Sequence, residues 1–218
     1  MKIVSHSRSE IGTRSKNEDY VGRVQGFCTR AFVVCDGVGG SPAGEHASRG
    51  ACETMLKLWK KTPALSVDKI ATVFEETNRI MREIGKRDRA LFGMRTTAAA
   101  LFCRFGFVRC AHVGDSRVYL FRKNKVWMKT HDHVGRSEKL TRALGGADNY
   151  LPELSERVRV RRGDAFLICT DGFWKGVSDE QMEKTLRASK TPAEWVEKLL
   201  AIRSDTQDNY TVSVGFFG

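Results

Sequence analysis

The chain has 218 residues, of which 41% are hydrophobic and 29% are charged, and it holds only four prolines. This composition excludes a disordered chain, and because no linker divides the sequence we expect one domain over residues 1–218. The net charge of +11 raises nucleic-acid binding as a function. We do not expect nucleic-acid binding, because the basic residues are scattered rather than gathered in a stripe with aromatic residues. They fit solvated faces or attraction to an acidic or phosphorylated partner.

Two features of the sequence predict a cytoplasmic protein. No apolar run reaches the length of a membrane span, and the polar stretch at 5–8 leaves no room for a signal-peptide core.

The six cysteines lie mostly inside apolar, strand-like runs and form no C-x-x-C pair. We therefore expect buried free thiols rather than disulfides.

The first part of the chain predicts strands followed by two helices. Alternation and apolar runs indicate a strand at 2–7, another at 20–24 and a third that ends with Asp36. Ser41 is predicted as an N-cap, with a proline at the first helical position after it. Ser66 is predicted to cap a second helix, and both helices have an apolar face that should pack over a sheet.

The second part predicts close-set strands before two further helices. The close-set strands are predicted at 96–104, 107–113, 117–121 and 125–130. Short turns between them favour antiparallel pairing. A hairpin is predicted from 158–162 and 165–170, helices are expected after Ser178 and Thr191, and a final strand is expected at 210–216.

Two of the apolar strands end in the same Asp-Gly pair. Phe-Val-Val-Cys leads into Asp36 and Gly37, and Phe-Leu-Ile-Cys-Thr leads into Asp171 and Gly172. Each strand would deliver its carboxylate to an exposed edge, where the following glycine lets a ligand approach the main chain. Two strands of one design predict two carboxylates at one rim.

The glycine-rich turn after Asp36 also suggests a nucleotide-binding fold. That fold needs strands and helices that alternate throughout, whereas the middle of this chain predicts consecutive strands. The sequence also has no G-x-x-x-x-G-K-[ST] motif. A nucleotide-binding protein is therefore the weaker hypothesis.

Acidic residues stand in turns or at strand ends at several places: Glu18 with Asp19, Asp36, Asp115, Asp171 and Asp208. Taken alone, each is also a common turn former or solvated charge. Gathered by the fold, they would form an oxygen-only site, which suits hard cations such as Mg²⁺ or Mn²⁺. Two such ions can share a bridging carboxylate and drive in-line attack on phosphorus, while one arginine clamps the phosphoryl oxygens.

Seven short segments carry a specific family pattern. They are Gly-Thr-Arg-Ser-Lys-Asn-Glu-Asp at 12–19, Asp-Gly-Val-Gly-Gly at 36–40 with Gly-Glu and Ala-Ser within 44–48, Thr-Thr-Ala at 96–98, Gly-Asp-Ser-Arg at 114–117, Leu-Thr-Arg-Ala-Leu-Gly at 140–145, Asp-Gly at 171–172 and Asp-Asn-Tyr-Thr at 208–211. Each segment is weak alone. In this order, and over nearly the whole chain, they resemble the metal-dependent serine/threonine protein phosphatases, the type 2C family.

The resemblance implies a fold and a reaction. The fold is α/β, a central sandwich of two antiparallel β-sheets flanked by α-helices on both faces, with the metal site at one end. The reaction is hydrolysis of phosphoserine and phosphothreonine in proteins by attack of a hydroxide that bridges two Mg²⁺ or Mn²⁺ ions, without a covalent phosphoenzyme. The expected partners are phosphorylated proteins and an opposing serine/threonine kinase, and we expect a monomer.

The resemblance also implies a set of metal ligands. Asp36 would bridge the two metals, with the Gly37 carbonyl as a further ligand. Asp171 and Asp208 would complete the protein ligands of the first metal. Asp115 would help Asp171 to hold a third, weaker metal.

Four further residues would support this centre. Glu18 would act mainly through metal-bound water. Asp19 and Asn209 would orient the ligands from behind, and Arg14 would bind the substrate phosphate. Asp36 and Arg14 are thus the expected catalytic residues.

Three features depart from the family's pattern. Val38 stands where many members carry a histidine proposed as general acid, so the proton for the leaving group must come from water or elsewhere. Arg95 stands where a glycine commonly precedes Thr-Thr. The flap region matches the family at 132–133, yet the next matching segment follows almost at once, so most of the flap is expected to be missing. This loss keeps open an alternative, a catalytically weak phosphoprotein-binding module on the same fold.

Structural roles compete with some of these functional assignments. Asp115 could pair with Arg117 across a tight turn instead of binding a metal. His131 and His133 suggest zinc, but no third nitrogen or sulfur ligand is apparent nearby, so we expect them to form hydrogen bonds in a loop. The tryptophans, Trp174 among them, are expected to pack in the core or at its rim.

Overall fold

Strands and helices follow one another in the predicted order through residues 2–137, 139–204 and 207–218, the ranges that the computed structural model describes. The strands are β1 (Ile3–Glu10), β2 (Asp19–Gln25), β3 (Thr29–Asp36), β4 (Ala98–Arg104), β5 (Phe107–Val113), β6 (Arg117–Arg122), β7 (Lys125–Lys129), β8 (Glu153–Leu154), β9 (Val158–Arg159), β10 (Ala165–Cys169) and β11 (Tyr210–Phe217). The helices are α1 (Gly44–Lys61), α2 (Val67–Arg87), α3 (Asp171–Trp174), α4 (Asp179–Arg187) and α5 (Pro192–Ile202). Most of the predicted elements are therefore confirmed.

The strands form two sheets. One has the order β1-β11-β10-β6-β7, and the other has the order β2-β3-β4-β5-β8, with β9 also paired to β5. Neighbouring strands run antiparallel in both sheets. The predicted antiparallel pairing is confirmed.

Three buried apolar clusters join the sheets and helices into four layers. Strand β3 serves two of them, because its side chains alternate between the two faces of the sheet. Phe32 and Val34 pack between the sheets, while Val33 and Cys35 pack under α1 and α2. On the outer face of the other sheet, Trp195 of α5 is fully buried in the third cluster. This order of layers confirms the predicted sandwich with helices on both faces.

Helix starts agree with the sequence in part. Ser178 and Thr191 accept hydrogen bonds from backbone N–H groups in the first turns of α4 and α5, as predicted. Ser66 occupies the N-cap position of α2, but its side chain makes no capping hydrogen bond. None of the helices within the described ranges is long and apolar enough to cross a membrane.

Two local predictions are wrong. Helix α1 begins at Gly44, and its N-cap is Ala43 in a left-handed conformation, with φ of 52°. The Ser41 N–H instead donates to the Val38 carbonyl at 3.0 Å, which extends the turn before the helix. Strands β9 and β10 form no hairpin, because β9 pairs with β5 while β10 lies between β6 and β11. The turn around Gly163 carries the chain from one sheet to the other.

The six cysteines are free thiols, and all except Cys28 are buried. Burial in the apolar layers raises the pKa of Cys110 to about 12. A thiol with so high a pKa is inert at neutral pH. The prediction of free thiols is confirmed.

Strand ends from both sheets meet at one end of the sandwich. Asp19 at the start of β2 stands opposite Asp36 at the end of β3. In the other sheet, the Thr170 N–H after β10 donates to the Thr211 carbonyl near the start of β11, at 3.1 Å. The acidic residues that flank these strands are therefore gathered at this end.

Candidate metal centre

A cleft of about 710 Å³ opens at this end of the sandwich. Its lining includes eight of the residues predicted for the site: Arg14, Glu18, Asp36, Gly37, Asp115, Asp171, Asp208 and Asn209. The remaining one, Asp19, is only 6% exposed and lies behind the cleft. The structure thus brings the predicted residues together from widely separated parts of the chain.

Two threonines fix the main chain at Asp36. The Asp36 N–H donates to Thr97 Oγ1 at 3.0 Å, and the Thr97 N–H donates to the Asp36 carbonyl at 2.8 Å. Thr96 Oγ1 donates to the same carbonyl at 2.8 Å. The Thr-Thr pair was noticed in the sequence only as part of a family pattern, and the structure gives it a role in holding β3 and the turn after it.

Burial, and after it the neighbouring carboxylates, raise the pKa values of several acidic groups at the cleft. Burial raises the pKa of Asp36 well above its usual range, and Asp19, Asp171 and Asp115 raise it further. Burial likewise raises the pKa of Asp19 to about 7, that of Asp115 to about 6, and that of Glu18. Gathered carboxylates with little solvent need protons or cations beside them. Because the donors are all oxygen atoms, the site fits hard divalent cations.

Two cationic side chains already contact the acidic cluster. Arg14 Nε donates to Asp208 Oδ1 at 3.0 Å, and Lys175 Nζ donates to Asp171 Oδ2 at 2.7 Å. The Arg14 side chain remains 59% exposed. A guanidinium at this position can bind phosphoryl oxygens that enter the cleft.

Asn209 anchors the loop that carries Arg14 and Glu18. Its Oδ1 accepts a hydrogen bond from the Glu18 N–H at 2.8 Å. Its Nδ2 donates to the carbonyls of Ile11 and Lys16, at 2.7 and 2.9 Å. One side chain next to β11 therefore fixes both ends of the loop between β1 and β2.

Asp19 links the two sheets behind the cleft. Thr170 Oγ1, next to Asp171, donates to Asp19 Oδ2 at 2.8 Å. The other oxygen, Asp19 Oδ1, is buried without a hydrogen-bond partner among the described residues. A buried carboxylate oxygen without a donor fits a site that receives positive charge when occupied.

Two glycines allow the main chain to close around the acids. A Cβ added at Gly44 would lie 2.7 Å from the Glu18 carboxyl carbon, and one added at Gly172 would lie 2.0 Å from the Asn209 carbonyl oxygen. Position 172 therefore needs glycine because it faces a main-chain carbonyl, whereas a side chain at position 44 would push the Glu18 carboxyl group aside.

Asp115 does not pair with Arg117, so that structural alternative is wrong. Arg117 makes two hydrogen bonds to Asp132, at 2.8 and 2.7 Å. Its guanidinium carbon lies 3.3 Å from the centroid of the Trp174 ring, and Trp174 Nε1 donates to the Asp115 carbonyl at 2.9 Å. Sequence reasoning missed this support and treated Trp174 as packing; its place three residues after Asp171 was the available signal.

A histidine cluster lies outside the lining of the cleft. His112, His133 and Glu153 bring donor atoms within 4.8 Å of one another, so the expectation that no third nitrogen lies near is wrong. The two rings are stacked, 4.4 Å apart and inclined by 12°, and in-plane lone pairs on near-parallel rings do not converge on one ion. His133 Nδ1 accepts from the Gly114 N–H, and His112 Nε2 donates to the His131 carbonyl. The prediction of hydrogen bonding in a loop is confirmed for the His133 side chain, whereas His131 takes part through its main-chain carbonyl.

Comparison with known proteins identifies the family. The model of the protein phosphatase 2C family matches residues 7–207, so the chain belongs to this family. It is 30% identical to the serine/threonine phosphatase Stp of Listeria monocytogenes, over 91% of this chain and 89% of that protein.

Solved structures agree with this assignment. The serine/threonine phosphatase PstP/Ppp of Mycobacterium tuberculosis has a TM-score of 0.84 and 27% identity, over 99% of this chain and 98% of that one. The catalytic domain of PstP in complex with two manganese ions has a TM-score of 0.82 and 29% identity, over 98% and 97%. These similarities confirm the predicted family, fold and enzyme class, and they do not favour the alternative of a binding module.

Proposed function

We propose that this chain is a metal-dependent phosphatase that hydrolyses phosphoserine and phosphothreonine in proteins, with one catalytic domain over residues 1–218. The observation that carries the proposal is the meeting of Asp36, Asp171, Asp208 and Arg14 in one cleft. Carboxylates that bind divalent cations, next to a guanidinium that binds phosphoryl oxygens, are what hydrolysis of a phosphate ester needs. The names of the relatives support serine/threonine phosphoproteins as the substrate class.

We propose Mg²⁺ or Mn²⁺ as the cofactor, with two ions and a third, weaker one. Asp36 would serve both ions, with the Gly37 carbonyl as a further ligand. Asp171 and Asp208 would complete the protein ligands of the first ion, and Asp115 with Asp171 would hold the third. When bound, the ions would activate water and offset the charge of the phosphoryl group. The complex of PstP with two manganese ions supports the proposal of two ions.

The other polar side chains would bind and orient the substrate. Arg14 would hold the phosphate at the exposed rim of the cleft, while Asn209 would keep its loop in place and Glu18 would support the ions indirectly. Asp19 would orient the ligands from behind. Val38 lines the cleft and carries no titratable group, so the proton for the leaving oxygen would come from water or from another group.

We also propose that the enzyme acts in the cytoplasm as a monomer and opposes a serine/threonine kinase. Six free thiols fit a reducing compartment. All residues of the proposed site come from one chain, so the site needs no second copy. Phosphorylated serine and threonine in proteins are products of such kinases, which supports a kinase as the opposing activity.

The test is phosphate release from a phosphothreonine peptide with Mn²⁺, with Mg²⁺ and with a chelator. Wild-type turnover should need the metal, and Asp171→Ala should lower it by about 100-fold or more, since several kcal/mol of charge stabilisation depend on the ions. Asp68→Ala removes an exposed carboxylate of α2 and should keep wild-type turnover. Turnover in the chelator, full activity of Asp171→Ala, or peptide binding without turnover would each contradict the proposal.

A further inference from the structure

Some cationic side chains of the cleft form ion pairs with carboxylates of the protein, and others do not. Four line it: Arg14, Lys16, Arg95 and Lys139. Arg14 pairs with Asp208, and Lys16 pairs with a carboxylate of α1, both at 3.0 Å. Arg95 and Lys139 make no ion pair with any residue that the structure describes. Two of the four cationic groups in this acidic cleft are therefore not paired directly with a carboxylate of the described residues.

Arg95 is fixed next to the proposed metal ligands by its main chain. The Val38 N–H donates to the Arg95 carbonyl at 3.0 Å. The next residue, Thr96, donates through Oγ1 to the Asp36 carbonyl at 2.8 Å. The side chain of Arg95 thus starts from a rigid point on the wall of the cleft.

The guanidinium of Arg95 lies against a loop that has no side chain to displace it. A Cβ added at Gly146 would lie 3.2 Å from Arg95 Nη2. This loop is held by Asn78 of α2, which donates to the Gly146 carbonyl at 3.1 Å and accepts from the Gly145 N–H at 2.7 Å. The side chain is partly buried, and its Nε has no hydrogen-bond partner among the described residues. Because Nε is buried, an anion in the cleft would meet the terminal nitrogens of this guanidinium, which has the planar shape that binds carboxylate or phosphate.

We propose that Arg95 forms an anion subsite that binds an acidic group of the substrate next to the phosphorylated residue, a carboxylate or a second phosphate. This inference rests on the proposed phosphatase function. Arg14 lies in the loop between β1 and β2 and pairs with Asp208 just before β11, whereas Arg95 lies just before β4. Because the two guanidinium groups reach the cleft from different segments, Arg95 binds a separate anion from the phosphate at Arg14. Exposed Lys139 adds positive charge to the same cleft.

The subsite is tested with three phosphothreonine peptides of equal length. One has alanine on both sides of the phosphothreonine, one has glutamate there, and one has a neighbouring phosphoserine. A charge-assisted hydrogen bond predicts that wild type prefers the acidic peptides by about tenfold in kcat/KM, mainly through KM. In Arg95→Ala this ratio should fall towards one, and Arg95→Lys should keep part of it because the charge remains.

Arg109→Ala is the matched control. Arg109 also has a buried Nε without a partner, but it lies four residues before the cleft end of β5. Its removal lowers the net charge equally and should keep the wild-type ratio. A preference for both acidic peptides supports a subsite that binds either a carboxylate or a phosphate. A preference for the phosphoserine peptide alone identifies phosphate as the anion that the subsite binds.

Four outcomes would overturn the proposal. Wild-type turnover without any preference would refute the subsite alone, as would an unchanged ratio in Arg95→Ala. A ratio lost equally in Arg109→Ala would show an effect of total charge. A uniform drop for all three peptides in Arg95→Ala would place Arg95 on the reacting phosphate. No turnover of any peptide by wild type would instead refute the phosphatase function itself.

Discussion

Replacing Asp19 by asparagine is expected to stabilise the metal-free protein at neutral and higher pH. The Asp19 carboxylate is buried, accepts one hydrogen bond from Thr170 and keeps Oδ1 without a partner among the described residues. Burial raises its pKa from 3.8 to about 7. Between these two pKa values the folded protein therefore keeps a proton on Asp19 that the unfolded chain has lost.

The sign and size of the effect follow from proton linkage. Where the folded protein binds more protons than the unfolded chain, the free energy of unfolding falls as the pH rises. The stabilisation by the Asp19 proton is complete below the unfolded pKa and is lost as the pH rises through the folded pKa of about 7. A difference of about 3 pK units corresponds to up to about 4 kcal/mol, or roughly 10 °C in Tm for a domain of this size. The Asp19→Asn variant has no carboxyl group to titrate at this position, so it does not lose this stability as the pH rises.

The assay is thermal unfolding with a chelator between about pH 5 and about pH 8. The Tm of wild type should fall more steeply with pH than that of Asp19→Asn, and Asp68→Asn should follow wild type. Mn²⁺ should restore more stability to wild type than to the variant at the upper pH, because the cation replaces protons on the buried carboxylates. Equal pH slopes for wild type and Asp19→Asn would refute the reasoning.

Three further substitutions test the surroundings of the site. Asn209→Ala removes three hydrogen bonds and should lower the free energy of unfolding by about 2 kcal/mol; a change too small to resolve by urea unfolding would contradict the anchoring role. Trp174→Phe removes the donor to the Asp115 carbonyl and should raise the Mn²⁺ concentration for half-maximal activity severalfold, whereas an unchanged value would separate this turn from metal binding. Gly44→Ala would put a Cβ 2.7 Å from the Glu18 carboxyl carbon and should lower both Tm and Mn²⁺ affinity; wild-type values of both would show that the chain can give way there.

The position of the carboxylates could be predicted from local sequence. Asp36 and Asp171 each follow an apolar run and precede a glycine, so strand propensity alone puts them at a sheet edge. Local sequence could not show that Asp36 and Asp171 meet Arg14 and Asp208. The hydrogen bond between Arg14 and Asp208, for example, joins residues 194 positions apart. That part of the prediction came from the family resemblance, which preserves the order of the segments.

Choices that depend on tertiary contacts could not be predicted. A short apolar stretch does not reveal which sheet it joins, so β9 and β10 were paired wrongly across the turn at Gly163. Arg117 has an acidic neighbour two residues away, yet it pairs with Asp132, fifteen residues away, where its guanidinium can also stack on Trp174. Local spacing favours the near partner, whereas packing selects the far one.

The shortened flap remains a prediction about substrate choice. Strands β7 and β8 are joined by residues 130–152, where Val134 and Leu140 form an isolated bridge. Leu140 and Lys139 line the cleft, so this segment contributes to its wall. The three phosphothreonine peptides that test the Arg95 subsite would therefore also measure the substrate choice of this shortened wall.

The most direct test of the account is the rate of phosphate release from a phosphothreonine peptide as a function of free Mn²⁺, for wild type and Asp36→Asn. Asp36 is the carboxylate that the proposed metal ions share, and asparagine keeps its shape while removing its charge. The wild-type rate should rise with Mn²⁺ and saturate, and Asp36→Asn should remain about 100-fold or more slower at every concentration. A wild-type rate that ignores Mn²⁺, or a variant that matches wild type, would contradict a metal centre built on these carboxylates.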